Sequence, residues 1–394
     1  MPLYCPPGVA TAAPPPGPVD RRAAEGRRIW RPGRVTGLDV ARALAVFGML
    51  GAHFGAVPAD VVASPSSWLG AVNGRSSILF AVLAGVSLAL LTGRTVVPAG
   101  EDLLRARTRI LVRAAWVFAI GVALEALGTD IDIILGVYGI LFVLALPFLR
   151  WSPRRLLLAA AVLAVLTPPA ALLATVWAQA AGLEQSPVVL LLLNGPYPAL
   201  IWCTFILVGM AVGRSDLTSP QVRARLLAAG TALTVLGYGA GWTTTRWWGQ
   251  AASTQAWVDG DIDARTWSLA WLSGAAPHSG TTPELVGSVG VALVAITACL
   301  VAAERLPRAT FPLVAVGAMA LTAYTGHILV PTVLDWDAEG GMTWLAFIAV
   351  MVVLSTGWRL TLGQGPLERL LSTTSRRAAA LAVRHLTPRS QPSS

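Results

Sequence analysis

The chain contains no lysine; all 29 of its basic residues are arginine. That absence reflects codon usage in a GC-rich genome and says nothing of activity. Charge is scarce altogether, 12% of 394 residues, against about 25% in soluble domains. Cysteine is rare too. Cys5, Cys203 and Cys299 lie far apart with no C-x-x-C pair, which excludes a disulfide framework or a zinc site of the usual spacing. There is no Walker loop, no G-x-S-x-G and no G-x-G-x-x-G, so ATP-driven pumping and a serine-hydrolase site find no support. No H-E-x-x-H or similar ligand spacing occurs, and no metal is expected. Internal repeats of the kind seen in inverted-repeat transporters are also missing. The N-terminus lacks the pattern of a cleavable signal peptide. Residues 1–34 are rich in Pro, Ala and Arg, too long and too polar for an n-region, and read as a disordered basic cytoplasmic tail.

What remains is apolar. Hydrophobic residues make up 55% of the chain and the charges are clustered, leaving long uncharged runs. About 20 residues of helix cross the hydrocarbon core. Ten such segments can be placed, at 37–57, 72–92, 110–128, 131–149, 156–179, 197–213, 225–245, 285–303, 311–333 and 343–361. None alternates with the period of two that a barrel strand shows, so an all-α polytopic membrane protein is expected.

Arginines gather before the first segment, between the second and third, fourth and fifth, after the sixth and eighth, and after the tenth. With ten spans all these positions fall on one side. Acidic residues such as Asp60, Asp130, Asp259, Asp261 and Asp335 gather on the other. The positive-inside rule then gives N-in/C-in orientation; the expected location is a bacterial inner (plasma) membrane. The rule also accounts for the net charge of +9 without a nucleic-acid partner. Residues 35–362 form the transmembrane domain and 363–394 a basic cytoplasmic C-terminal tail. The short run Val188–Leu193 cannot span and reads as re-entrant or interfacial. The Trp-rich stretch 246–283 reads as an interfacial belt or as a lid over a sugar or lipid headgroup.

Charges inside spans are costly and mark functional sites. In the first segment Arg42 and His53 are eleven residues apart, close to three helical turns, and share a face. Asp39, three residues before Arg42, can pair with it. His327 in the ninth segment lies at a depth similar to His53, so the two histidines are placed to line one cavity. Asn73 and Arg75 open the second segment. Arg75 is an exception on the sparsely basic side and calls for a partner, with Asp132 expected in that role. Tyr138 and Tyr324 are polar groups on the fourth and ninth segments. Histidine serves as base or nucleophile near neutral pH. Arginine matches phosphate oxygens, which makes Arg42, Arg105 and Arg109 candidates for holding a phosphorylated co-substrate.

Several ordered stretches resemble a known family. Gly37-Leu38-Asp39-Val40-x-Arg42-x-Leu44-Ala45 through His53 resembles the opening helix of transmembrane acyltransferases, with the Arg–His spacing of the acyltransferase-3 group. Phe80-x-x-Leu83-x-Gly85-x-Ser87, Ile134-Leu135-x-x-Tyr138-Gly139-Ile140-Leu141-Phe142 and Tyr324-x-Gly326-His327 resemble the heparan-α-glucosaminide N-acetyltransferase group and its bacterial relatives. The resemblance runs from about 34 to 330. It implies acyl-CoA, as acetyl-CoA, bound from the cytoplasm, and transfer to a glycan or glycolipid of the cell envelope. A histidine would act in the transfer. In the lysosomal enzyme of this group the proposed histidine lies between the first two helices. The matching stretch here, Ser64-Pro65-Ser66-Ser67-Trp68, has none, so His53 takes that role from the other group.

Two functions follow. One is a membrane acyltransferase with catalytic His53, His327, Asp39 and Arg42, and an acceptor met by Arg75, Asn73, Asp132, Tyr138 and Tyr324. The other is a proton-coupled transporter or flippase, which buried Asp, Arg and His also suit. The bilayer, acyl-CoA and the acceptor are the expected partners, with a homodimer left open.

Overall fold

The structure, a computed structural model, describes residues 34–54, 70, 72–129, 131–183, 186–248, 268–336 and 340–386. Cys5, Asp60, the Ser64–Trp68 stretch, Asp130, Asp259, Asp261, Trp257 and Trp267 lie outside the described residues.

The described residues contain helices and no strand. In chain order the principal helices are α1 (Thr36–His53), α2 (Arg75–Leu91), α3 (Gly100–Glu125), α4 (Leu135–Leu144), α5 (Pro153–Ala180), α6 (Ala199–Gly213), α7 (Pro220–Trp248), α8 (Thr282–Arg305), α9 (Pro307–Gly317), α10 (Ala320–Leu334), α11 (Gly341–Thr361) and α12 (Pro366–Leu386). An apolar sequence takes this form because a helix satisfies its own backbone where water is absent. Three of these helices, α5, α8 and α11, are long and apolar enough to cross a membrane, and α9 with α10 makes a fourth as a bent pair. Shorter apolar helices are α2, α4 and α6. The protein is therefore an all-helical membrane protein.

Several features differ from the sequence expectation. The segment 311–333 is not one straight helix; α9 and α10 meet at 62°. The cause is local. Gly317 ends α9 against α1 so closely that a Cβ there would fall on the Asp39 carbonyl oxygen. Ala318 and Met319 then turn the chain before α10 begins. The second difference is at the third segment, where the helix starts at Gly100 and not near 110. Arg105, Arg107 and Arg109 are thus helical residues rather than loop residues. Val188–Leu193 forms a short helical hook, Pro187–Val189 followed by a wider π-type turn over Leu190–Asn194.

α1 is the centre of the bundle. It packs against α2, α8, α9, α10 and α11. Small residues allow the closest approaches between helices. Gly85 of α2 and Gly209 of α6 bring those two backbones into contact, and Gly237 of α7 does the same against Gly287 of α8. The C-terminal helix α12, within the stretch expected only as a basic tail, packs along α3 and touches α10.

Candidate active site

The polar face of α1 carries two groups at opposite ends. At its basic end Asp39 is buried and accepts from two arginines. Arg42 Nη1 lies 2.6 Å from Oδ1 and Arg34 Nη2 lies 2.8 Å from Oδ2. Arg42 Nη2 also donates to Ser87 Oγ on α2 at 2.9 Å. A buried carboxylate is tolerated only when paired in this way. Its two partners fix Arg42 in one orientation, with the guanidinium facing a cavity of about 750 Å³. Arg34, Arg42, Arg113, Arg359, Arg369 and Arg376 line that cavity, with Glu368 as its one acidic residue. Phe80, Leu83, Leu135 and Tyr138 form its apolar wall. Many fixed guanidinium groups around an apolar recess suit a ligand with phosphates at one end and an uncharged arm at the other.

At the far end of α1, His53 Nδ1 lies 2.8 Å from His327 Nε2 of α10. The rings are stacked, with centroids 5.1 Å apart and planes 9° from parallel. One ring nitrogen donates and the other accepts, so the two tautomers are matched to each other. Tyr324, one turn back on α10, meets His327 edge-on with centroids 4.9 Å apart. His327 and Tyr324 are buried, and His53 is half-buried. Tyr138 lies at the cavity and not at the histidine pair. Its hydroxyl donates to the Ser77 carbonyl of α2 at 3.1 Å.

The other expected residues separate. Arg105 is not at the cavity. It pairs with Glu101 at 2.8 Å and Asp102 at 3.0 Å on an exposed face of α3. Arg109 is also outside the lining, which Arg113, one turn further on, enters instead. The expected Arg75–Asp132 pair is not formed. Arg75 Nε donates to Tyr238 Oη of α7 at 2.7 Å and its guanidinium sits over that ring, 4.8 Å from the centroid. Tyr238 in turn bonds Ser288 of α8 at 2.8 Å. Asp132 is exposed and makes no ion pair among the described residues. Asn73 lies beside Arg75, its carbonyl accepting from Arg75 Nη1 at 3.3 Å.

Near this second cluster His278 lies in the loop before α8. Burial pushes it down to about 4, the Pro196 carbonyl opposing and Arg75 adding to the fall, so it is neutral at physiological pH. Among the described residues no three His, Cys, Asp or Glu side chains are placed to hold a metal ion.

Sequence reasoning missed Glu368 and Arg376. For α12 the signal was Leu367, Leu370 and Leu371 recurring through a charged stretch, the pattern of a packed amphipathic helix.

A family model described as heparan-alpha-glucosaminide N-acetyltransferase, catalytic, matches residues 34–240, just over half of the chain. The chain belongs to this family. A second family model, a protein of unknown function (DUF418), matches residues 262–377. No match among curated proteins accompanies these two. As a member of the heparan-alpha-glucosaminide N-acetyltransferase family the chain is an acetyltransferase, a membrane-embedded enzyme. Of the two functions the sequence admits, membership selects the enzyme.

Proposed function

We propose that this enzyme moves an acetyl group from cytoplasmic acetyl-CoA to a sugar or glycolipid of the cell envelope. Its place would be the bacterial inner membrane, with ten spans within residues 35–362 and both ends in the cytoplasm. The observation that carries the reading is the His53–His327 hydrogen bond of 2.8 Å, on the helix whose other end presents Arg42 to the basic cavity.

The residues fit the donor. Arg42, Arg113 and Arg376 are the groups to hold its phosphates, and the apolar wall of Phe80, Leu83 and Leu135 suits its uncharged arm. Arg42 and His53 are separated by eleven residues, roughly 16 Å along α1, so the phosphates and the reacting carbonyl would sit at opposite ends of one extended ligand.

In the transfer, the acceptor hydroxyl or amine attacks the thioester carbonyl carbon. Its proton passes to an imidazole of the pair, which acts as general base. The carbon–sulfur bond breaks, and the sulfur leaves as thiolate and takes up a proton. The second imidazole holds the first in the tautomer that has a free lone pair and shares the charge it gains. Asp39 acts one step back, by fixing Arg42.

The test is CoA release and acetyl transfer by detergent-purified protein, wild type beside His53→Ala, His327→Ala and Arg42→Ala. Donor binding that survives the histidine changes and is lost with Arg42, with release lost in all three, is the expected pattern. Full release in both histidine variants would overturn the assignment.

A further inference from the structure

The break between α9 and α10 creates an electrostatic need inside the bundle. A helix that starts anew leaves its first N–H groups without intrahelical acceptors, and in an apolar setting each must find another partner. At α10 the partner comes from a different helix, 46 residues on. Glu368 Oε1 accepts from Leu321 N–H at 2.9 Å and from Thr322 N–H at 3.1 Å. Its Oε2 accepts from Thr322 Oγ1 at 2.6 Å. Thr322 Oγ1 completes the link by accepting from Leu367 N–H at 3.3 Å. A carboxylate at a helix N-terminus is also favoured by the helix dipole. Yet no cap within the helix itself forms, since Met319 supplies no side-chain cap.

The same carboxylate lines the cavity beside Arg42, Arg369 and Arg376. α10 carries Tyr324 and His327 within two turns of this cap. The His53–His327 bond depends on the height and rotation of α10 against α1, and at the N-terminal end of α10 the cross-helix cap bears on both, beside the packing of α10 on α1, α3, α9 and α11.

We infer that Glu368 is a positioning residue, holding α10 in the register that keeps His327 Nε2 against His53 Nδ1. It rests on the reading above only for its effect on turnover; the geometric claim stands apart from it. Glu368 touches no reacting atom, and α12 is therefore part of the catalytic unit rather than a tail.

The chain has only four histidines, so ring-¹⁵N-histidine labelling gives a spectrum in which the hydrogen-bonded pair can be assigned by His53→Ala and His327→Ala. In Glu368→Ala the signals of the paired nitrogens shift or broaden toward those of unpaired rings. CoA release at saturating acetyl-CoA falls at least tenfold. Glu368→Gln, which keeps an oxygen acceptor for the two N–H groups, restores the pair signals and release to within threefold. Should Glu368→Ala not fold, Thr322→Val removes the Oγ1 bond alone and gives a smaller shift in the same direction. Unchanged pair signals in the folded variants would overturn the inference. So would a loss of donor binding with the pair intact, which would make Glu368 a wall of the cavity only. A wild-type protein that shows the paired signals but releases no CoA would overturn the transfer reading and leave the spectra to decide Glu368.

Discussion

α1 and α11 are apolar helices of similar length, 18 and 21 residues, and they touch one another. Thirteen residues of α1 are buried; on α11 only Ser355 is. α11 presents Val350, Val353 and Leu354 outward and reaches α1 by one polar bond, Trp344 Nε1 to the Phe47 carbonyl at 2.8 Å. Hydropathy does part of the sorting: α11 is long and apolar enough to cross a membrane by itself, whereas the charged residues of α1 keep it short of that measure. What separates them is that α1 carries Asp39, Arg42 and His53 on its length, and each has a protein partner waiting. An ionisable residue in a span needs neighbours, so it draws its helix to the middle of the bundle. α11 carries its one ionisable residue, Arg359, only in its last turn, and the rest of its length serves as outer wall.

The comparison can be broken by substitutions along both helices. The largest effect is expected at the far end of α1. His53→Ala, or His327→Ala opposite it, should lower CoA release about 10²–10⁴-fold, the usual worth of a general base, in single-turnover assays with saturating donor. Next is Asp39→Ala. It leaves the Arg42 and Arg34 guanidinium groups facing each other without their carboxylate, and removing one partner of a buried pair costs about 3–5 kcal/mol. Thermal unfolding in detergent should register this as a marked drop in midpoint, and an unchanged midpoint would mean that water fills the site.

Smaller again is the loss of a single phosphate contact. Arg113→Ala should weaken acetyl-CoA binding roughly tenfold or more, as charged hydrogen bonds contribute about 1.5–3 kcal/mol. Arg105→Ala, on the exposed face, should change it less than about twofold, because surface pairs contribute about 0–1 kcal/mol. Equal effects from the two would erase the distinction drawn between the cavity and the outer face of α3. The smallest effect belongs to α11. Leu354→Ala and Val353→Ala should alter stability by no more than about 0.5 kcal/mol, as surface substitutions do; a loss as large as that of Asp39→Ala would show that α11 is covered by a partner rather than by lipid.

Much of the fold was legible because a membrane imposes strict chemistry on sequence. Apolar runs mark helices, and the Arg42–His53 spacing marks one face of α1. Less was legible where tertiary contact outweighed pattern. The turn at Gly317–Met319 arises from contact with Asp39, nearly 280 positions earlier, and no local signal in 311–333 announces it. Arg75 was expected to seek a carboxylate and found a tyrosine ring, since a guanidinium is served by an aromatic face as well as by charge. α12 was hidden by its own arginines. They read as topology, while the leucines between them carry the packing that brings Glu368 and Arg376 to the cavity.

The paired histidines stand 274 residues apart in the chain, and each lies in the territory of a different family model. Asp39, Arg42 and His53 come from the first region; His327, Glu368 and Arg376 come from the second. Neither region alone holds the whole candidate site. Under the proposed function, a gene carrying one without the other would encode half a lock. The two should be gained, lost and exchanged together as a single heritable unit.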